Sequence, residues 1–134
     1  DSSLPRYALP GDAGADLRCR EHVILRPGER RLVPTGVRAA IPDGHVGFVN
    51  PRSGLAIRTG LSIVNAPGTI DSGYRGEIKV ALVNLDQHEP IELQVGDRVA
   101  QLVIVPFVHA QFVRVDELDD TERGQGGYGS TGRS

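Results

Sequence analysis

Between Gly68 and Val80 the chain reads Gly-Thr-Ile-Asp-Ser-Gly-Tyr-Arg-Gly-Glu-Ile-Lys-Val. Five consecutive residues there supply a carboxylate (Asp71), an aromatic ring (Tyr74) and a cation (Arg75). Gly68, Gly73 and Gly76 punctuate them, and glycine lets another molecule come close to the main chain. A hairpin that only reverses direction is served by Asn-Gly or Asp-Gly. The richer assortment here reads as a site. The plainer alternative is a long hairpin in which Asp71 makes a local turn bond.

Other residues could join such a site. Pro51-Arg-Ser-Gly-Leu-Ala presents a guanidinium and a hydroxyl at the start of a short helical turn, Ser53 to Arg58, with free N–H groups, which favours an anion. In the plainer version Ser53 caps the turn and Arg52 is solvated. Asn65, in Asn-Ala-Pro-Gly, can both donate to and accept from a base edge, although asparagine is also the commonest turn residue. Gln101 interrupts an apolar run from Val99 to Val108 and needs a hydrogen-bond partner, protein or ligand. Asp16 sits where Gly11–Leu17 enters an apolar strand, and a half-buried carboxylate there calls for an arginine or a hydrated metal. Both remain open. Asp12 reads as a turn former.

The tail, Arg123 to Ser134, spaces Arg123, Tyr128 and two hydroxyls among glycines. A disordered end is the default for that composition. Against it, a ring to stack on a base and a cation for phosphate are what a lid over a nucleotide needs. Gly124 to Gly129 matches G-x-G-x-x-G, but the chain that remains is too short for the helix and strand of a dinucleotide fold. None of the four histidines has a companion at metal-ligand spacing, so zinc is not expected.

The elements that must position these groups are strands. The 17 glycines and 9 prolines fall at short intervals between apolar runs, as in many short strands joined by turns. Strands are expected at His22–Leu25, Arg30–Thr35, Val37–Ile41, His45–Val49, Leu61–Val64, Glu77–Leu85, Ile91–Gln94, Val99–Val108 and Gln111–Val115. The result is an all-β barrel or double sheet over residues 1–120, with 121–134 as a glycine-rich arm. The 134 residues suffice for one core. A net charge of −2 argues against nucleic acid or a membrane surface as partner. Cys19, the single cysteine, suggests a reducing compartment. With neither an apolar span nor a leader before Leu4, a soluble, cytoplasmic protein is expected. The absence of an initial methionine suggests a processed form.

Five segments, Gly11–Leu17, Pro51–Ala56, Gly68–Val80, Gly96–Ile104 and Arg123–Gly132, resemble in order and spacing the five motifs of the trimeric deoxyuridine triphosphatase (dUTPase) family, most closely its bacterial members. The resemblance implies a distorted jelly roll of the β-clip type, assembled as a homotrimer with sites shared between subunits. It implies hydrolysis of dUTP to dUMP and pyrophosphate, with Mg²⁺ held mainly by the triphosphate. By the same resemblance Asp71 matches the carboxylate that activates the attacking water, and Tyr74 the ring that leaves no room for a 2′-hydroxyl. Asn65 and the main chain of Gly68, Thr69, Ile70 and on to Lys79 match the uracil-reading surface. Arg52, Ser53, Gly54 and Gln101 match phosphate contacts, and Asp16 an acidic residue reaching the metal through water. Arg123 matches a terminal-phosphate contact, Tyr128 the ring that stacks on uracil, and Gly129 a further substrate contact in the same arm. Two departures stand out: the chain starts too late to supply the family's first strand, and position 128 is more often phenylalanine.

Three rivals remain. A deoxycytidine triphosphate deaminase shares the fold, but nothing marks a deaminating centre. Asp71-Ser72-Gly73 fits the short signature of an aspartic protease, yet Arg75 and a phosphate-binding arginine do not suit it. A non-enzymatic nucleotide-sensing trimer would need neither Asp71 nor Arg123.

Overall fold

The computed structural model describes residues 4–129. Ten strands and one helix follow in order: β1 (Arg6–Tyr7), β2 (Gly14–Arg18), β3 (Val23–Leu25), β4 (Arg30–Arg38), β5 (His45–Asn50), α1 (Ser53–Thr59), β6 (Leu61–Ile63), β7 (Gly68–Ile70), β8 (Glu77–Asn84), β9 (Ile91–Leu93) and β10 (Arg98–Pro106). They form a five-stranded sheet β1-β2-β10-β5-β7, a three-stranded sheet β4-β8-β6 and a two-stranded ribbon β3-β9. The strand pairs among the described residues are antiparallel. The sheets are open among the described residues, so of the barrel and the double sheet expected from the sequence it is the layered sheets that form.

Alternation decides what is buried. Along β8, Ile78, Val80, Leu82 and Asn84 point inward while Glu77, Lys79, Ala81 and Val83 do not. Leu17, Val33, Val49, Val99 and Leu102 meet them in one core. Asn84, the polar member, donates from its amide to the carbonyls of Leu25 (2.9 Å) and Glu89 (2.9 Å), which offsets its burial. No helix among the described residues is long and apolar enough to cross a membrane.

Several elements differ from the sequence expectation. The two strands expected at Arg30–Thr35 and Val37–Ile41 are one strand with a register shift between Pro34 and Val37, where Gly36 has φ +73°. A bulge absorbs the two extra residues, Thr35 and Gly36, so the break in alternation does not end the strand. The short strands β1 and β7 are not among the strands expected from the sequence. The strand expected at Gln111–Val115 does not form, and Phe112 is 95% exposed. With no neighbouring strand among the described residues, its alternation has nothing to pair with. Val99–Val108 is buried only in its first half, and Val108 is 90% exposed in the single chain.

Cys19 is fully buried, its thiol donating to the Gln94 carbonyl at 2.9 Å, and burial pushes its pKa up. Alkylation at neutral pH should therefore be slow in the native protein and fast in denaturant. Equal rates in a timed iodoacetamide assay would contradict this packing.

Candidate active site

The first group of site residues is assembled by three adjacent strands. The register aligns Asp16 of β2 with Gln101 of β10, and Gln101 with Asn50 of β5. Beyond Asn50 the chain turns through Pro51 and Arg52 into α1. The Asp16 side chain is mostly buried and lies between two guanidiniums, Arg52 Nε and Arg98 Nη1, each at 3.6 Å. The structure thus realises the arginine pairing for Asp16. Gln101 Nε2 donates to the Pro51 carbonyl at 3.2 Å. Its Oε1 lies where a Cβ on residue 14 would fall, which explains a glycine there. Asp12 accepts from Leu9 N at 3.0 Å, the expected turn bond.

These groups border a cleft of about 430 Å³, with Ser53 and Gly54 on its wall. Two guanidiniums (Arg52, Arg98) and two carboxylates (Asp12, Asp16) line it, so its formal charge balances, and Arg forks suit phosphate oxygens. Arg52 occupies the N-cap position of α1 with extended geometry, and no side chain caps the helix. Ser53 is therefore the first helical residue and not a cap, and its side chain is exposed. The helix spans seven residues, longer than the expected turn, and ends at Gly60 with φ +81°. Arg98 was missed in the sequence, where it reads as part of a Gly-Asp-Arg turn.

The second group lies on the hairpin between β7 and β8. Gly68 is buried against Val49, and a Cβ on it would come within 3.6 Å of the Asn65 amide. Val64 N donates to the Ala81 carbonyl at 2.8 Å, which carries the β6–β8 pairing up to Asn65. Asn65, Thr69 and Lys79 are exposed, and Ile70 is half-buried. At Asp71 the turn bond comes from the main chain: its carbonyl accepts from Tyr74 N at 3.1 Å. The exposed carboxylate takes no part in that bond. Tyr74 folds its ring over Gly76 and donates its hydroxyl to the Glu77 carbonyl at 2.7 Å. Arg75 braces the turn from within, its Nη1 reaching the Ser72 carbonyl at 2.7 Å.

The structure does not bring the two groups together within one chain. Ile70 pairs with Gly47, so Asp71 and Arg52 lie toward opposite ends of β5. At the strand rise of about 3.3 Å per residue they are on the order of 15 Å apart. The third group, in the tail, stands apart as well. Arg123 Nε donates to the Gly126 carbonyl at 2.6 Å, Tyr128 is fully exposed with φ +50°, and Gly129 has φ +84°. The hydroxyls of Ser130 and Thr131 and the end of the arm lie outside the described residues.

Such a β fold, with an arginine-bearing cleft and a hairpin offering a carboxylate beside a ring, defines a candidate enzyme for a phosphorylated substrate. The chain belongs to the dUTPase family, whose model matches residues 1–132. It is 72% identical over 132 residues to the deoxyuridine 5'-triphosphate nucleotidohydrolase of Cutibacterium acnes, covering 98% of this chain and 87% of that relative. Identity to the same-named protein of Thermobifida fusca is 62% over 132 residues, covering 98% and 74%. Among solved structures, a Staphylococcus bacteriophage 80alpha dUTPase with dUpNHpp superimposes with a TM-score of 0.89 at 31% identity, covering 97% of this chain and 92% of that one. A phage phi11 dUTPase, described as revealing the coordination of a structural Mg(II) ion, matches with a TM-score of 0.80 at 30% identity, covering 87% and 92%. The fold is accordingly the jelly roll of these dUTPases, with one short helix among the described residues.

Proposed function

We propose that this protein is a dUTP diphosphatase, hydrolysing dUTP to dUMP and pyrophosphate and so supplying dUMP and keeping uracil out of DNA. The carrying observation is that a chain of this family presents the exposed Asp71 carboxylate and the Tyr74 ring on one hairpin. Asp71 orients a water toward the α-phosphorus and accepts its proton as the oxygen attacks, while pyrophosphate departs. Arg52, Ser53, Gly54, Gln101 and Arg98 hold the phosphates and offset their charge. Asn65 and the main chain of Gly68–Ile70 on to Lys79 read uracil, and Tyr74 packs on the deoxyribose. Arg123, Tyr128 and Gly129, in an arm of residues 121–134, close over the nucleotide.

Mg²⁺ fits this donor set as an ion carried by the substrate. Asp16 is already close to two arginines, and among the described residues no three His, Cys, Asp or Glu side chains converge. A hydrated ion that keeps its waters can still be met by Asp16 through one of them. When bound, it supplies neutralisation of phosphate charge.

The separation of Asp71 from Arg52 supports a site completed between copies, in a homotrimer. The exposed apolar segment around Val108 and Phe112 supports the same reading, because a neighbour would cover it. Sedimentation at micromolar concentration should report a trimer; a monomer that retains activity would sink the shared site.

Pyrophosphate release should be rapid from dUTP and weak from dCTP, dTTP and UTP. Replacing Tyr74 with alanine should narrow the dUTP-over-UTP preference by about tenfold or more, since steric exclusion rejects more strongly than a lost contact. Equal rates on all four nucleotides would refute the assignment. An unchanged ratio in the variant would leave the ring merely structural.

A further inference from the structure

We infer that Arg38 is a positioning residue for the hairpin that presents Asp71 and Tyr74; the inference rests on the diphosphatase reading. Asp71, Gly73, Tyr74 and Arg75 are all exposed, so apolar burial does not define where this excursion sits. Hydrogen bonds do. Arg38, the last residue of β4, stands opposite Glu77, and its Nε donates to the Arg75 carbonyl at 2.7 Å. A second tie runs from Gly36 N, in the β4 bulge, to the Glu77 carboxylate at 2.8 Å.

The two ties differ in where they act. The Gly36 bond anchors the base of β8, where strand pairing already holds the chain. The Arg38 bond reaches the turn itself, one residue past Tyr74, at a carbonyl whose own side chain grips Ser72. Displacement of Arg75 would therefore carry Ser72 and Asp71 with it. Among the described residues Arg38 has no carboxylate partner within ion-pair distance. Its contribution here is the Nε donor and not its charge. A small misplacement of a catalytic carboxylate is enough to cost an order of magnitude in rate.

Glutamine carries its Nε2 as many bonds from the backbone as arginine carries Nε, whereas methionine has similar length and no donor. Arg38→Gln should keep kcat within about twofold. Arg38→Met should lower kcat for dUTP about tenfold and narrow the dUTP-over-UTP ratio, with KM nearly unchanged. Melting temperature should be the same in both, because Arg38 is exposed at a strand end. Amide exchange at Tyr74, whose N–H bonds Asp71, should quicken in Arg38→Met and not in Arg38→Gln. Equal losses in both variants, wild-type kcat in Arg38→Met, or a fall in rate without faster exchange would each overturn the inference. If the wild-type chain releases no pyrophosphate from dUTP, the functional reading fails, while the exchange comparison still judges the Arg38 contact.

Discussion

Asp71→Asn is expected to reduce dUTP turnover by about 10²–10⁴-fold, the range lost with a general base. Binding of a non-hydrolysable dUTP analogue should change by less than about threefold, because the amide keeps the shape and polarity of the side chain. The structure favours so clean a separation. The turn at Asp71 is closed by its carbonyl, so exchanging the exposed carboxylate breaks no bond on which the hairpin depends. What the amide lacks is an oxygen basic enough to take a proton from the attacking water. Near-normal pyrophosphate release by this variant would remove Asp71 from the assigned role.

Truncation after Glu122 is the second large effect, an expected fall in turnover of about 10²–10³-fold with folding intact. Among the described residues no strand or helix lies beyond Pro106, so the truncation removes no sheet hydrogen bond seen there. In the described conformation Arg123 is turned onto Gly126 and Tyr128 faces solvent, so closure requires both to be re-aimed. Ordering a glycine-rich arm costs on the order of 1 kcal/mol per residue. A stacked ring and a charge-assisted phosphate contact each return about 1–3 kcal/mol. Neither contact alone covers the arm. Protection of the arm from proteolysis should consequently be strong with a non-hydrolysable dUTP analogue and weak with dUMP. Equal protection by both ligands, or full activity without the arm, would show that it is no lid.

What was legible in the sequence depended on how local its cause was. The Asp71–Tyr74 hairpin was legible because glycine punctuation and a mixed set of polar groups are contained within a few residues. The core face of β8 was legible because its alternation runs unbroken from Glu77 to Asn84. Strand β4 was not, since its bulge at Thr35–Gly36 shifts the period and looks like a boundary. Arg98 escaped notice for a different reason. Only the β2–β10 pairing, with its own irregularity between Arg98 and Ala100, sets that guanidinium beside Asp16. Gln111–Val115 erred in the opposite direction: an alternating run promises a strand, but a strand needs a neighbour to pair with.

The glycine at position 76 has a consequence for how this protein tolerates change. A Cβ there would meet the Tyr74 hydroxyl at 2.5 Å and its ring carbons at 2.7 and 2.9 Å. The obstructing atoms belong to the outer part of a side chain, so the backbone could stay in place while the ring swung aside. An alanine at 76 would then be almost silent to folding and loud to sugar discrimination. On the role proposed for Tyr74, part of the fidelity is thus written as a missing methyl group, where a screen for stability would pass the error unread.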